Sequence, residues 1–297
     1  MVTCVCGAAL LAACADTTAI RNFSELKPSG ANIQEAAASY DRAITNASTY
    51  NVLHTLSRRT LRKLKAQRDV QVALIVTNAR VISQFMNELG VMAGLHTKVS
   101  RSANDALEKG MAALQKGGKL SAQEASTTAA LADFVGDMIE SGEQQYSLRK
   151  VIGEENRDFQ SAVGLEVQIL TNIQNTDETD RILLGQLKYI TESLKKKIRE
   201  CRRAARSRGT SSRFPGPGCA QAYAGFLTFP SWYAAQSAQL DMDDALAGRL
   251  RAAFTSIGKA YQQLYERRNA LLTKATWAAI KVNVESARAA ISAARKL

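Results

Sequence analysis

Two histidines in 297 residues, His54 and His96, leave few ways to build a metal site or a catalytic triad. Aromatic residues are scarce at 6%, which disfavours the Val-, Tyr- and Phe-rich strands of a sandwich or barrel. Proline occurs only as Pro28, Pro215, Pro217 and Pro230. Residues 29–214 and 231–297 hold none, and because a proline in a helix interior costs about 3 kcal/mol, its absence permits long helices. There is no P-loop, Gly-rich dinucleotide fingerprint, HExxH or G-x-S-x-G. Adjacent carboxylates such as Glu154-Glu155 and Asp243-Asp244 point in different directions on a helix. No catalytic residue, metal ligand or cofactor is expected, and the chain does not read as an enzyme.

What is present suits a globular, helical protein. Hydrophobic residues make up 46% and charged residues 22%, enough apolar surface for a sizeable core in one elongated domain or two small ones. Alanine is abundant, which favours closely packed helices. The net charge of +12 draws a protein to polyanions: nucleic acid, anionic lipid or acidic wall polymer.

Hydrophobic spacing predicts an all-α fold, an elongated antiparallel bundle of long helices with coiled-coil-like packing. Asn32 followed by Glu35 resembles a helix start. Leu74, Val81, Phe85 and Leu89 mark a central helix over 50–95, ending near Gly90 and Gly94. A shorter helix is expected over 104–115. Ser121-Ala122-Gln123-Glu124 is a capping box that opens a long segment, with a bend near Gly153 and a break near Thr176-Asp177. Leu187, Ile190, Leu194 and Ile198 lead along one stripe to Cys201. Residues 207–232, rich in Pro, Gly and aromatics, read as a structured loop. From Leu246 through Leu250, Phe254, Ile257, Tyr261 and Leu264 to Ala275, Ala278 and Val282, steps of three and four make a seam broken once by Arg268.

The N-terminus points to a compartment. Val2–Ala15 carries no charge, and Val5–Leu11 is mostly apolar but too short to cross a membrane. It closes on Leu11-Ala12-Ala13-Cys14, which resembles the bacterial lipobox: a Leu, two small residues, then the Cys that receives diacylglycerol. The resemblance implies cleavage before Cys14, acylation of that residue and an anchor on the periplasmic side. By the same resemblance, Ala15 after the Cys favours the outer membrane over the inner. No Lys or Arg follows Met1, which fits a reading frame starting further upstream. The expected layout is a signal peptide over 1–13 and a lipidated tether over 14–30. A long-helix bundle over 31–206 follows, then a disulfide-stapled loop over 207–232, and C-terminal helices over 233–297 on the same bundle.

Of five cysteines, Cys4 and Cys6 fall in the removed segment and Cys14 carries lipid. That leaves Cys201 and Cys219 as an even pair for one disulfide in an oxidising space; in a cytosolic protein they would be free thiols. Lys195, Lys196, Lys197, Arg199, Arg202, Arg203, Arg206, Arg208 and Arg213 form a basic cluster with Glu200 the acid among them, a candidate anion-binding surface or a solvated helix end. A second group, Arg58, Arg59, Arg62, Lys63, Lys65 and Arg68, opens the central helix. Phe226, Phe229, Trp232 and Tyr233, beside Phe214 and Tyr223, are either a candidate recognition loop or a small satellite core under the disulfide.

Together these features predict a non-enzymatic cell-envelope lipoprotein, a tethered helical scaffold or binding module. Its expected partners are the membrane through the lipid anchor, an anionic lipid, lipopolysaccharide or cell-wall polymer, and a protein partner or second copy. A helical membrane-active protein, toxin-like or lytic, is the alternative. If the signal peptide is false, a cytosolic nucleic-acid binder comes forward; otherwise nucleic acid is disfavoured.

Overall fold

Long proline-free stretches become long helices. The computed structural model describes residues 17–28, 30–39, 58–94, 122–141, 147–207, 217–271 and 273–297. Among them every regular element is a helix, as the spacing predicts. In order these are α1 (Thr18–Ser24), α2 (residues 30–39), α3 (Arg58–Met92), α4 (Ala122–Ser141), α5 (Leu148–Glu154), α6 (Asn156–Gln186), α7 (Lys188–Ser207), α8 (Pro217–Glu266) and α9 (Lys274–Ala294).

The spine is α8, whose 50 residues extend about 75 Å at 1.5 Å per residue. Helix α9 runs antiparallel to its second half, with Asn283 Nδ2 donating to Gln263 Oε1 at 2.9 Å and Arg249 bonding the Ala293 carbonyl. Helix α6 is antiparallel on another side, where Gln160 Nε2 meets the Gly258 carbonyl at 2.9 Å and Gln174 Nε2 meets Asp244 Oδ1 at 2.9 Å. Gly258 permits this approach, because a Cβ there would stand 3.0 Å from Val163 Cγ1.

The core forms where α1, α3, α6 and α8 meet. Phe23, Phe85, Phe159 and Tyr261 are fully buried, their ring centroids separated by 4.2 Å for Phe159–Tyr261 and up to 6.1 Å for Phe23–Phe159. Burying each such ring contributes roughly 2–3 kcal/mol. A polar network lies nearby. The Asn78 amide donates to Glu166 Oε2 at 2.9 Å and to the Ala162 carbonyl at 2.8 Å, and its oxygen accepts from Thr128 Oγ1 at 3.2 Å. This joins α3, α4 and α6 inside the bundle.

Four expectations need correction. Residues 18–28 are not a free tether: Ala19, Ile20, Phe23 and Leu26 have no exposed surface, because their spacing gives α1 an apolar stripe that the core accepts. No break falls at Thr176-Asp177. Helix α6 runs through to Gln186, and the interruption comes at Leu187, whose N–H bonds only three residues back to Leu184. The stretch 217–232 is helical, not a loop. Pro217 occupies the first helical position, where its missing N–H is harmless, and the mid-helix Pro230 points to solvent. The seam through Val282 changes phase between α8 and α9, so Val282 is 69% exposed while Ile280, Val284, Ala287 and Ile291 face the core. Arg268, the residue that breaks the seam, lies over the Tyr265 ring at 4.5 Å. Gly94 ends the central helix region with φ +71°, a left-handed conformation glycine adopts freely. The helix expected over 104–115 and the Ser121 cap lie outside the described residues.

Candidate anion-binding arm

Helix α7 is built of two unlike faces. Its 20 residues contain eight Lys or Arg and two Glu. At 100° per residue, Ile190, Leu194, Ile198, Cys201 and Ala205 share one side. All eight basic residues, Lys188, Lys195, Lys196, Lys197, Arg199, Arg202, Arg203 and Arg206, are exposed. The apolar side packs along the first half of α8, with lesser contact to α6. Gly225 of α8 admits the Leu194 side chain there, at 3.5 Å from where a Cβ would stand.

The pair α7–α8 is thus a two-helix arm that leaves the main bundle, and a disulfide between Cys201 and Cys219 closes it. The cysteine Cα atoms are 5.9 Å apart across a sequence separation of 18. Linking a loop of this length lowers unfolded-state entropy by about 3 kcal/mol. The link holds the basic face in one conformation, so contact with a partner loses little ordering entropy.

On that face Lys195, Arg199, Arg202 and Arg206 fall within about 60° of one another and span about 17 Å of helix. Arg203 and Lys196 flank the row, and Tyr189 nearby is 76% exposed. Lys195 pairs with Glu192 at 2.6 Å, which lowers the Glu192 pKa through that hydrogen bond. Like charges this close repel in isolation. A row of anions opposite them would relieve the repulsion, at about 1 kcal/mol for each basic side chain near an anionic surface.

The predicted recognition residues have another place. Phe229, Trp232 and Tyr233 are half-buried on α8 against Leu184, Leu187, Leu240 and Ile190, a satellite core at the base of the arm. The Phe229 and Trp232 rings are 5.4 Å apart, and Lys188 Nζ sits 5.7 Å from the Tyr233 ring. They fasten the arm and do not form an open loop; Phe226 is half-buried on the same helix. Arg208, Arg213, Phe214 and Cys14 lie outside the described residues, as do His54 and His96.

Sequence reasoning missed an acidic cluster where the arm joins the bundle. Asp177 and Asp180 on α6 have no exposed surface, and Asp243 on α8 is 5% exposed. Neither carboxylate oxygen of Asp177 accepts a hydrogen bond. Burial, then Asp243, Asp180 and Asp244, push its pKa up to about 7 against the pull of Arg181. Arg181 itself reaches Asp241 at 3.0 Å and Asp244 at 3.3 Å. The i, i+3 spacing of Asp177 and Asp180 was the available signal, but only the α6–α8 pairing reveals Asp243 beside them. Among the described residues no group of His, Cys, Asp or Glu is placed to hold a metal ion, and no helix is long and apolar enough to cross a membrane.

No family model, curated protein or solved structure matches the chain.

Proposed function

We propose that this protein is a non-enzymatic cell-envelope lipoprotein, a helical scaffold anchored through Cys14 that binds an anionic envelope component with α7. The observation that carries the reading is the exposed basic row of α7 on a disulfide-closed arm. The lipobox-like Leu11-Ala12-Ala13-Cys14 supports export. Pairing of Cys201 with Cys219 suits the oxidising space outside the cytoplasm.

The test is retention of the full chain, carrying Cys14→Ser, on a polyphosphate matrix across a salt gradient. Neutralising the row as Lys195→Gln, Arg199→Gln, Arg202→Gln and Arg206→Gln is expected to move elution to markedly lower salt. Equal retention of the two proteins refutes the reading.

A further inference from the structure

Helix α1 begins at Thr18 and is docked in the core through Phe23, whose ring lies 5.6 Å from that of Tyr261. Three residues lie between Cys14 and Thr18, and the four Cα-to-Cα steps reach about 14 Å at full extension. An acyl chain on Cys14 therefore holds this end of the bundle against its bilayer. The basic row sits elsewhere. Leu194 packs at Gly225, and the 36 residues from Gly225 to Tyr261 are about 54 Å of helix. The leash is too short to bring both regions to one point.

Charge follows the same axis. Helix α3 passes Tyr261 at Phe85, their rings 5.6 Å apart, and passes Glu166 at Asn78. Followed back toward its start, it runs in the direction of the arm, so exposed Arg59, Arg62, Lys63 and Lys65 lie on the arm's side of the bundle. At the α1 end the charges are mixed: Arg288 bonds Glu25 at 3.1 Å, and Lys27 stands near Glu25 and Glu88.

The geometry points to a protein that reaches between two surfaces, anchored in one bilayer at its α1 end and binding the phosphates of a second, anionic phospholipid surface with the α7 row. This rests on the proposed lipidation of Cys14 and on the basic-arm reading. A lipid surface suits the row better than nucleic acid does. An exported protein meets anionic lipid and not nucleic acid, so the lipobox-like Leu11-Ala12-Ala13-Cys14 favours the lipid, and the exposed Tyr189 on the same helix suits a bilayer interface.

The experiment places the lipidated full chain in phosphatidylcholine vesicles and adds a second population with or without phosphatidylglycerol. Lipid-dye energy transfer reports clustering. Clustering is expected with phosphatidylglycerol only. Each basic group near such a surface changes partition about fivefold, so the four-Gln α7 variant should need several hundredfold more acceptor lipid. A matched variant at the α1 end, Arg21→Gln, Arg267→Gln, Lys274→Gln and Lys281→Gln, all exposed, removes equal charge far from the arm and should shift the requirement much less. Equal losses in the two variants would overturn the assignment to α7. Binding to phosphatidylglycerol in the protein's own vesicle without clustering would overturn the reach and leave the anion-binding reading standing. Stronger binding to duplex DNA or to wall polymer than to vesicles would overturn the lipid partner. Binding to none of these would overturn both the inference and the proposed function.

Discussion

Glu166 sets up a stability that should fall as pH rises. The side chain is fully buried, takes one hydrogen bond from Asn78, and leaves Oε1 without a partner. Burial pushes its pKa from 4.5 to about 8, opposed only by that bond. A carboxyl raised in the folded state contributes its stability in full below the unfolded value near 4.5 and loses it as pH rises through about 8. At about 1.4 kcal/mol per tenfold, the loss is on the order of 5 kcal/mol. Glu166→Gln keeps an acceptor for Asn78 but buries an amide N–H₂ with no acceptor assured, which costs about 1–3 kcal/mol. In urea unfolding near pH 5 the variant should be the less stable protein, and near pH 9 the more stable one. Parallel pH profiles for the two proteins, with no crossing, would show that Glu166 does not titrate in this window.

Three further outcomes follow from particular groups. Asp177→Asn should flatten a second part of the pH profile, because a carboxyl raised to about 7 loses stability as pH climbs from about 4 to 7; an unchanged slope in thermal melts contradicts the cluster. Tyr261 buries a hydroxyl without a partner, so Tyr261→Phe is expected to be neutral or stabilising by about 1 kcal/mol in the same unfolding assay, and a large loss would reveal an essential hydrogen bond. Reducing the disulfide, or Cys201→Ser with Cys219→Ser, should lower stability by about 3 kcal/mol. Amide exchange should quicken in α7 and the start of α8, while the core around Phe159 stays protected.

Local periodicity made much of this fold legible. The absence of proline foretold the long helices α3 and α6, though not α8, which carries Pro230 in its interior, and the stripe from Leu187 to Cys201 foretold which side of α7 would pack. The basic face followed from the same arithmetic, and the two cysteines paired as their number suggested. What failed depended on contacts distant in sequence. The stretch around Ile20 and Phe23 looked like a tether because one short apolar stripe gives no sign of the distant core, Phe159 and Tyr261 included, that covers it. Pro, Gly and aromatics over 217–232 read as a loop, yet Pro217 starts a helix and the satellite core from α6 fixes the rings. The Asp177–Asp243 cluster is a product of helix pairing, which no single segment displays.

The proposed lipid anchor at Cys14 is checked by the mass of the N-terminal peptide. The gene with its upstream region would be expressed in a Gram-negative host and the peptide taken from purified membranes. A peptide beginning at Cys14 and carrying acyl chains is predicted. An unmodified peptide beginning at Met1 would contradict the anchor, remove the oxidising compartment from the argument for Cys201 and Cys219, and turn the basic arm toward nucleic acid.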